Sequence, residues 1–369
     1  MTLLESLLWP LSVPYGAVAH LRARAYRKGI LKQQRLDAVV ISVGNLTVGG
    51  TGKTPMVIWI AERLLSKGKR VGILTRGYRG KAADRAGGRD EFGDRVKTSG
   101  AAHPVQIPQS SSDEVQLLAS RLGHRVEIGV GADRYARGRE LAKQGVEWFV
   151  LDDGFQHMQL ARDVDIVLID ATNPFGGGRV LPSGRLREPR TSLNRADIIV
   201  ITRSERAPAV EAAVRRDSDA PIFYARTQLD AIRSISDGQM GGDVSPTQAG
   251  PLFAFCGIGN PVAFLADLRE WGVQVAGHKF FRDHHRFTEQ DDAGILKEAQ
   301  EVGAQGLICT EKDLYNLRGI YFGKLPVYFS PISLRIDRED EFWRAVMETA
   351  NTRRHTAQLP LPLGTAQRD

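Results

Sequence analysis

At 369 residues, with 42 % hydrophobic and 25 % charged side chains, the chain has ordinary globular composition, which excludes collagen, coiled coil and wholesale disorder. Its length exceeds one compact domain and accommodates two, with enough buried surface to fold without staples. Two cysteines, Cys256 and Cys309, are too few for a disulfide framework or a four-ligand zinc site, and a formal charge of +7 favours an anionic partner: nucleic acid, phosphorylated small molecule or membrane surface.

Residues 3–20 are mostly apolar (Leu3, Leu4, Leu7, Leu8, Trp9, Leu11, Val13, Tyr15, Val18), with Glu5 as the one charge. The run is shorter than the about 20 apolar residues of a spanning helix, and Pro10 and Pro14 interrupt it. Its basic residues (Arg22, Arg24, Arg27, Lys28, Lys32 and Arg35) follow the apolar stretch, the reverse of a signal peptide. An apolar anchor with a polybasic flank is the pattern of a helix lying in the membrane interface against anionic lipid, and residues 1–35 read as such a segment. The other reading is a terminal helix packed on the protein's own core.

From residue 36 to 228, short runs apolar at every position alternate with helical stretches: Val39–Val43, Val71–Leu74, Phe149–Leu151, Ile166–Ile169 and Ile198–Ile201. Such runs are strands buried on both faces, hence a mostly parallel sheet flanked by helices, with one helix over Ala207–Ala213. The polar, Gly- and Ser-rich stretch from Leu229 to Gly250 reads as a connection. Strands at Leu252–Cys256, Val273–Phe281, Gly306–Thr310 and Val327–Phe329, with a helix over Pro261–Trp271, form a second, smaller α/β domain within residues 229–350. Gly257-Ile258-Gly259-Asn260-Pro261 looks like a dinucleotide turn, but Val262 takes the third glycine position; a tight turn with Asn260 as helix cap fits better. Residues 351–369 have no periodicity and read as a disordered tail.

The first strand runs through Gly44-Asn45-Leu46 into Thr47, Val48, Gly49, Gly50, Thr51, Gly52, Lys53 and Thr54, followed by the apolar helix Met56–Leu65. A glycine-rich loop between strand and helix lets backbone N–H groups curl around phosphate oxygens at the positive helix end. Lys53 then reaches the β- and γ-phosphates, and the Thr54 hydroxyl holds Mg²⁺. Thr47 stands where G-x-x-x-x-G-K-[ST] has its first glycine, and Gly49 and Gly50 supply the flexibility. Phe149-Val150-Leu151 ends in Asp152 and Asp153, at the sheet edge where ligands bind; either one fits the magnesium shell. The chain lacks the guanine-reading Asn-Lys-x-Asp string. These features define a P-loop ATPase or kinase that takes ATP and Mg²⁺.

Residues 176–190 carry Arg179, Arg185, Arg187 and Arg190 around a single acid, Glu188. Arginine forks match phosphate geometry, although the same loop reads equally as a solvated basic turn. Asp113 and Glu114 precede an apolar helix, where acids also serve the helix dipole. No basic and aromatic interleaving points to nucleic acid.

The combination of Ser42 to Pro55 with Arg76-Gly77-Tyr78, Asp152-Asp153-Gly154-Phe155-Gln156-His157, Leu181-Pro182-Ser183-Gly184-Arg185-Leu186-Arg187-Glu188-Pro189, Asp283-His284-His285 and Thr310-Glu311-Lys312-Asp313 closely resembles the tetraacyldisaccharide 4′-kinase family, the lipid A 4′-kinases of Gram-negative bacteria. The strings occur in the family's order over most of the chain. The resemblance implies ATP-dependent phosphorylation of the 4′-hydroxyl of an acylated glucosamine disaccharide 1-phosphate, giving lipid IVA. It implies a protein held peripherally at the cytoplasmic face of the inner membrane, on the cytoplasmic-leaflet surface, with no obligate protein partner evident. By motif, the catalytic aspartate and its paired histidine are Asp113 and His284, the carboxylate accepting the hydroxyl proton and the histidine orienting it. Ser112-Asp113-Glu114-Val115 stands where the family has Gly-Asp-Glu-Pro. Glu188 is then expected near magnesium, and Tyr78, Glu114, Arg134, Gln156, His157 and Arg187 near substrate or phosphate. A membrane-targeting or assembly ATPase that phosphorylates nothing, and a soluble small-molecule kinase, are the competing readings.

Overall fold

The computed structural model describes residues 3–77, 112–236, 239–317, 322, 323 and 325–358. In chain order the elements are α1 (Leu3–Arg27), β1 (Val39–Asn45), α2 (Lys53–Ser66), β2 (Val71–Thr75), α3 (Asp113–Leu122), β3 (Val126–Val130), α4 (Arg134–Lys143) and β4 (Trp148–Asp152). There follow β5 (Val164–Asp170), β6 (Ile198–Thr202), α5 (Pro208–Val214), β7 (Ile222–Leu229), β8 (Ile232–Ser236) and β9 (Gln239–Val244). The last are β10 (Leu252–Cys256), α6 (Pro261–Glu270), β11 (Val275–Phe280), α7 (Glu289–Glu301), β12 (Gly306–Thr310), α8 (Glu311–Leu314), β13 (Val327–Ser330), β14 (Ile332–Ile336) and α9 (Glu339–Gln358).

The all-apolar runs form the eight-stranded sheet β14-β7-β6-β5-β1-β4-β2-β3, parallel except for β14. Burial on both faces explains their composition: every residue of β2, β4, β5 and β6 is buried. On one face α2 contributes Met56, Val57, Ile60 and Leu64, and α9 contributes Phe342, Val346 and Ala350, to a core shared with Ile41, Val43 and Val150. The chain leaves β1 toward β2, β3 and β4 on one side and returns with β5, β6 and β7 on the other. The strand order therefore reverses beside β1, and a crevice opens at its carboxyl end, where such sheets bind ligands.

A six-stranded sheet, β11-β10-β12-β13-β8-β9, forms the second lobe, with β8 and β9 antiparallel. Three sequence expectations need correction. The 229–250 stretch is not a plain connector, because it folds into β8 and β9. The second lobe does not run to residue 350: β14 pairs with β7 and α9 packs on the large sheet, so the chain returns to the first lobe after Ser330. The alternation of Ile332, Leu334 and Ile336 and the four-residue spacing of Phe342, Val346 and Ala350 carry this return. Helix also extends to Gln358 where a disordered tail was expected from 351; Arg353 pairs with Asp197 at 2.5 Å and Arg354 with Asp163 at 3.6 Å. Residues 359–369 lie outside the described ones.

The helix α1 continues through Pro10 and Pro14 instead of breaking. Small residues face the protein: Ser12 Oγ donates to Ser183 Oγ at 2.7 Å, and Gly16 lies against Val180. The large apolar side chains point away, with Trp9 54 %, Leu11 58 %, Val18 64 % and Leu21 62 % exposed. The alternative of an apolar face packed on the core is therefore not what the fold adopts. Among the described residues no helix is long and apolar enough to cross a membrane.

Candidate active site

The loop between β1 and α2 forms one wall of a cleft of about 370 Å³ between the two sheets. Gly49 (φ 121°) and Gly52 (φ 85°) adopt the left-handed conformation that glycine tolerates, and Gly52 caps α2. The first turn of α2 holds no acid, so its positive end is free of internal counter-charge. Thr47 needs no glycine's freedom because the loop begins as an extended strand against residues 185–187. Val48 N–H donates to Arg185 O at 2.8 Å, and Arg187 N–H donates to Leu46 O at 2.7 Å.

Lys53 Nζ donates to Asn45 Oδ1 at 3.3 Å and lies 3.4 Å from Asp153 Oδ1. Arg187 Nη1 donates to Asp153 Oδ2 at 2.6 Å. Against the burial that would raise it, Lys53 and then Arg187 pull the Asp153 carboxyl down to about 2. Its neighbour behaves oppositely: burial, then the charges of Glu114 and Asp153, push Asp152 up to about 7, while Thr75 Oγ1 donates to it at 3.2 Å. Thr54, Asp152 and Asp153 all line the cleft. No cluster of three or more His, Cys, Asp and Glu side chains fit for a metal occurs among the described residues. Two carboxylates beside a P-loop hydroxyl suit magnesium, which keeps waters and phosphate oxygens as its remaining ligands.

Glu188 does not join them. Arg195 holds it in a two-pronged ion pair at 2.7 and 3.1 Å, and it does not line the cleft. In this arrangement the guanidinium of Arg195 pairs with the carboxylate. Gln156 Nε2 donates to Asn45 O at 3.0 Å, and its Oε1 lies 3.5 Å from Arg187 Nη1. Arg134 Nη1 donates to His157 Nδ1 at 2.8 Å, away from the cleft wall. Burial, then the Arg134 charge, lower the His157 pKa to about 4, which keeps the ring neutral and able to accept. Tyr78 lies outside the described residues.

The opposite wall comes from the second lobe and the start of α3: Glu114, Asn260, Asp283, His284 and Lys312. Asn260 Oδ1 accepts from Ala263 N and caps α6, and its Nδ2 donates to Asp170 Oδ2 at 3.1 Å across the cleft. His284 sits at φ 58°, a conformation costly for a non-glycine residue and typical of functional loops. Its Nδ1–H donates to the Asp113 carboxylate, at 2.9 and 3.0 Å, joining residues 171 positions apart. His285 is not at this junction; it bonds Asp291 at 3.0 Å and stacks on Phe281.

Asp113 is only 5 % exposed. Burial works to raise its pKa, but the His284 hydrogen bond and the Lys312 charge outweigh it, and the carboxyl sits below the usual range. The same hydrogen bond raises the His284 imidazole, against burial and the Lys312 charge. His284 is on the cleft wall and Asp113 is buried beside it, so the histidine is the member of the pair in reach of a ligand. Sequence reasoning left Lys312 without a role, although its Thr310-Glu311-Lys312-Asp313 string was recognisable. A lysine between acids ordinarily reads as a solvated ion pair.

A glycine-rich phosphate loop at the reversal point of a parallel sheet, facing an aspartate–histidine pair across a cleft, defines a P-loop nucleotide-dependent phosphotransferase. The family model described as tetraacyldisaccharide-1-P 4′-kinase (LpxK) matches residues 4–351, and the chain belongs to that family. It is 40 % identical over 339 residues to the tetraacyldisaccharide 4′-kinase of Geobacter metallireducens, covering 89 % of this chain and 93 % of the relative. It is 37 % identical over 333 residues to that of Desulfotalea psychrophila, covering 88 % and 91 %. Among solved structures, LpxK from Aquifex aeolicus in complex with ATP superposes with a TM-score of 0.70 at 31 % identity, over 94 % of this chain and 99 % of that one.

Proposed function

We propose that the protein transfers the γ-phosphoryl group of ATP to the 4′-hydroxyl of an acylated glucosamine disaccharide 1-phosphate, the lipid IVA-forming step of lipid A biosynthesis, at the cytoplasmic face of the inner membrane. The observation that carries the reading is the Asp113–His284 pair, which the second lobe completes by bringing His284 to Asp113 on the wall opposite the phosphate loop. An ATPase that phosphorylates nothing has no use for such a pair; a kinase with a weakly acidic acceptor hydroxyl does.

The loop from Val48 to Thr54 wraps the phosphates with backbone N–H groups, and Lys53 swings from Asp153 to their charge. The apolar end of the cleft, with Ile58, Leu117, Phe264 and Trp271, fits a nucleobase. Thr54, Asp152 and Asp153 would hold the magnesium, which when bound would supply charge neutralisation at the phosphates. Arg187, which pairs with Asp153 at 2.6 Å on the cleft wall, would also be in place to bind phosphate. The acceptor proton passes to the Asp113–His284 pair: the imidazole takes it, and the Asp113 carboxylate orients the ring and stabilises the imidazolium. The proton belongs to the pair as a unit. Glu114 flanks the acceptor position.

The outward apolar face of α1, followed by Arg22, Arg24, Arg27 and Lys28, supports attachment to an anionic bilayer where an acylated substrate resides. The test is transfer of labelled γ-phosphate to a detergent-dispersed tetra-acylated disaccharide 1-phosphate. Lipid labelling that requires Lys53 and Asp113 is expected; ATP hydrolysis with no lipid product would favour the assembly-ATPase reading.

A further inference from the structure

The segment Thr310–Asn316 touches Asp113 directly and reaches His284 through Gly257. Asn316 Nδ2 donates to Asp113 Oδ2 at 3.3 Å. Asp313, fully buried, accepts from Gly257 N–H at 2.8 Å, and Gly257 C=O accepts the His284 N–H at 2.9 Å. Between these two, Lys312 extends its ammonium into the junction, 3.8 Å from Asp113 Oδ2, 3.5 Å from Glu114 Oε1 and 3.7 Å from Asp283 Oδ1.

None of these distances is that of a tight, directed ion pair. One cation is shared by three carboxylates from two lobes, and its side chain is only 21 % exposed. A solvated surface pair would be screened, whereas here the charge acts at short range in a poorly hydrated setting. We propose that Lys312 is a positioning residue for the phosphoryl transfer: its ammonium, delivered from the second lobe, holds the Asp113 carboxylate charged and turned to His284, so that the pair is ready to accept a proton only when the two lobes meet. The inference rests on the kinase reading above and adds to it a residue that acts through the Asp113–His284 pair.

The charged groups facing the junction are Asp113 and Glu114 from the first lobe and Asp283, His284 and Asp313 from the second. Lys312 disfavours a proton on Asp113 and on His284 alike, so the sign of its removal does not depend on which of them holds the proton. Without it the pair holds its proton to higher pH, and the acidic limb of activity moves upward.

The experiment compares wild type with Lys312→Met and Lys312→Arg. The first readout is the titration of the His284 imidazole by NMR of histidine-labelled protein, the resonance being assigned by its loss in His284→Asn. Lys312→Met is expected to move the titration up by a full pH unit or more, and Lys312→Arg to restore it. The second is the pH profile of lipid phosphorylation. Lys312→Met is expected to lose at least tenfold in kcat at pH 7, with KM for ATP within twofold, and to recover much of the loss at pH 9. An unmoved His284 titration in a folded Lys312→Met protein overturns the proposal, and so does a loss equal at all pH values, which reports lobe packing alone. A moved titration in a protein that phosphorylates no lipid would keep the electrostatic assignment and sink the functional reading.

Discussion

At the scale of single residues, the pair is the most consequential contact. Replacing Asp113 by Asn keeps the shape and removes the charge that orients His284, so kcat should fall by about 10²–10⁴-fold, the usual worth of proton transfer in the transition state. ATP affinity, measured by calorimetry, should stay within a few fold, because the phosphate loop is untouched. The same variant has a pH signature. In the wild type the His284 pKa is raised and that of Asp113 lowered. The pair therefore adds stability below the ordinary histidine value of 6.5, and loses it as pH rises through the raised value. On the acidic side the contribution fades below 3.8, as Asp113 takes its proton. The melting-temperature gap between wild type and Asp113→Asn should thus be widest near pH 5 and narrow as pH rises through the raised His284 value, the share due to the charged Asp113 carboxylate remaining; a gap that widens toward pH 8 would contradict the assignment.

Residues also differ in how far their roles could be read from the chain. Gly49 to Thr54 and the Asp152–Asp153 pair were legible because each lies in one continuous string whose spacing states its chemistry. Asp113 and His284, 171 positions apart, carry no such spacing. Family likeness marked them, and only the fold brings them to 2.9 Å. Glu188 shows the same dependence on the fold: its ion pair with Arg195 at 2.7 Å is not written in the spacing of the basic loop that carries it.

At the scale of elements, α1 and α9 show why the ends of the chain were read incompletely. Two prolines predicted an interruption in α1, and the helix runs through them, tied by Ser12 to Ser183. Each large apolar side chain fully buried in lipid contributes about 1.5–3 kcal/mol. Replacing Trp9, Leu11 and Val18 together by Ser should then lower partition onto anionic vesicles at least about 100-fold. Equal sedimentation of the variant with vesicles would refute the surface assignment. In α9, Phe342 packs edge-on against Trp59 at 5.5 Å and Phe223 at 5.3 Å. Phe342→Ala should cost about 3–5 kcal/mol in chemical denaturation, as large-to-small changes in tight cores do. This helix was missed because its apolar stripe is narrow in a charged stretch, and short β14 before it gives little periodicity of its own.

At the scale of the whole molecule, the two lobes are clasped by Arg121 of α3. Its guanidinium donates to Glu311 at 2.7 to 2.9 Å, to Ile332 O at 3.0 Å and to Asp230 at 3.3 Å. Burial lowers and Glu311 then raises the Arg121 pKa, with a net rise, so the clasp is charged throughout the working range. Arg121→Met should destabilise by about 1–3 kcal/mol, the range for hydrogen bonds to charged groups. It should also enlarge the radius measured by small-angle scattering at low salt. An unchanged radius with unchanged stability would show that the lobes are held by other contacts. The mostly parallel sheet and the presence of a second lobe followed from the apolar runs, whereas the seam between the lobes depended on long-range pairs that a linear reading does not contain.

The return of β14 and α9 to the first sheet also governs the order in which the molecule can be completed. Every strand that frames the phosphate loop emerges from the ribosome before the second lobe begins. The strand that closes the outer edge of that sheet, and the helix that covers its core, emerge after the second lobe has been made. Until then β7 presents an unpaired edge. The nascent nucleotide site is therefore kept unfinished until the second lobe has been made, and a chain cut short at residue 330 would carry every residue of the phosphate loop without the cover that stabilises it.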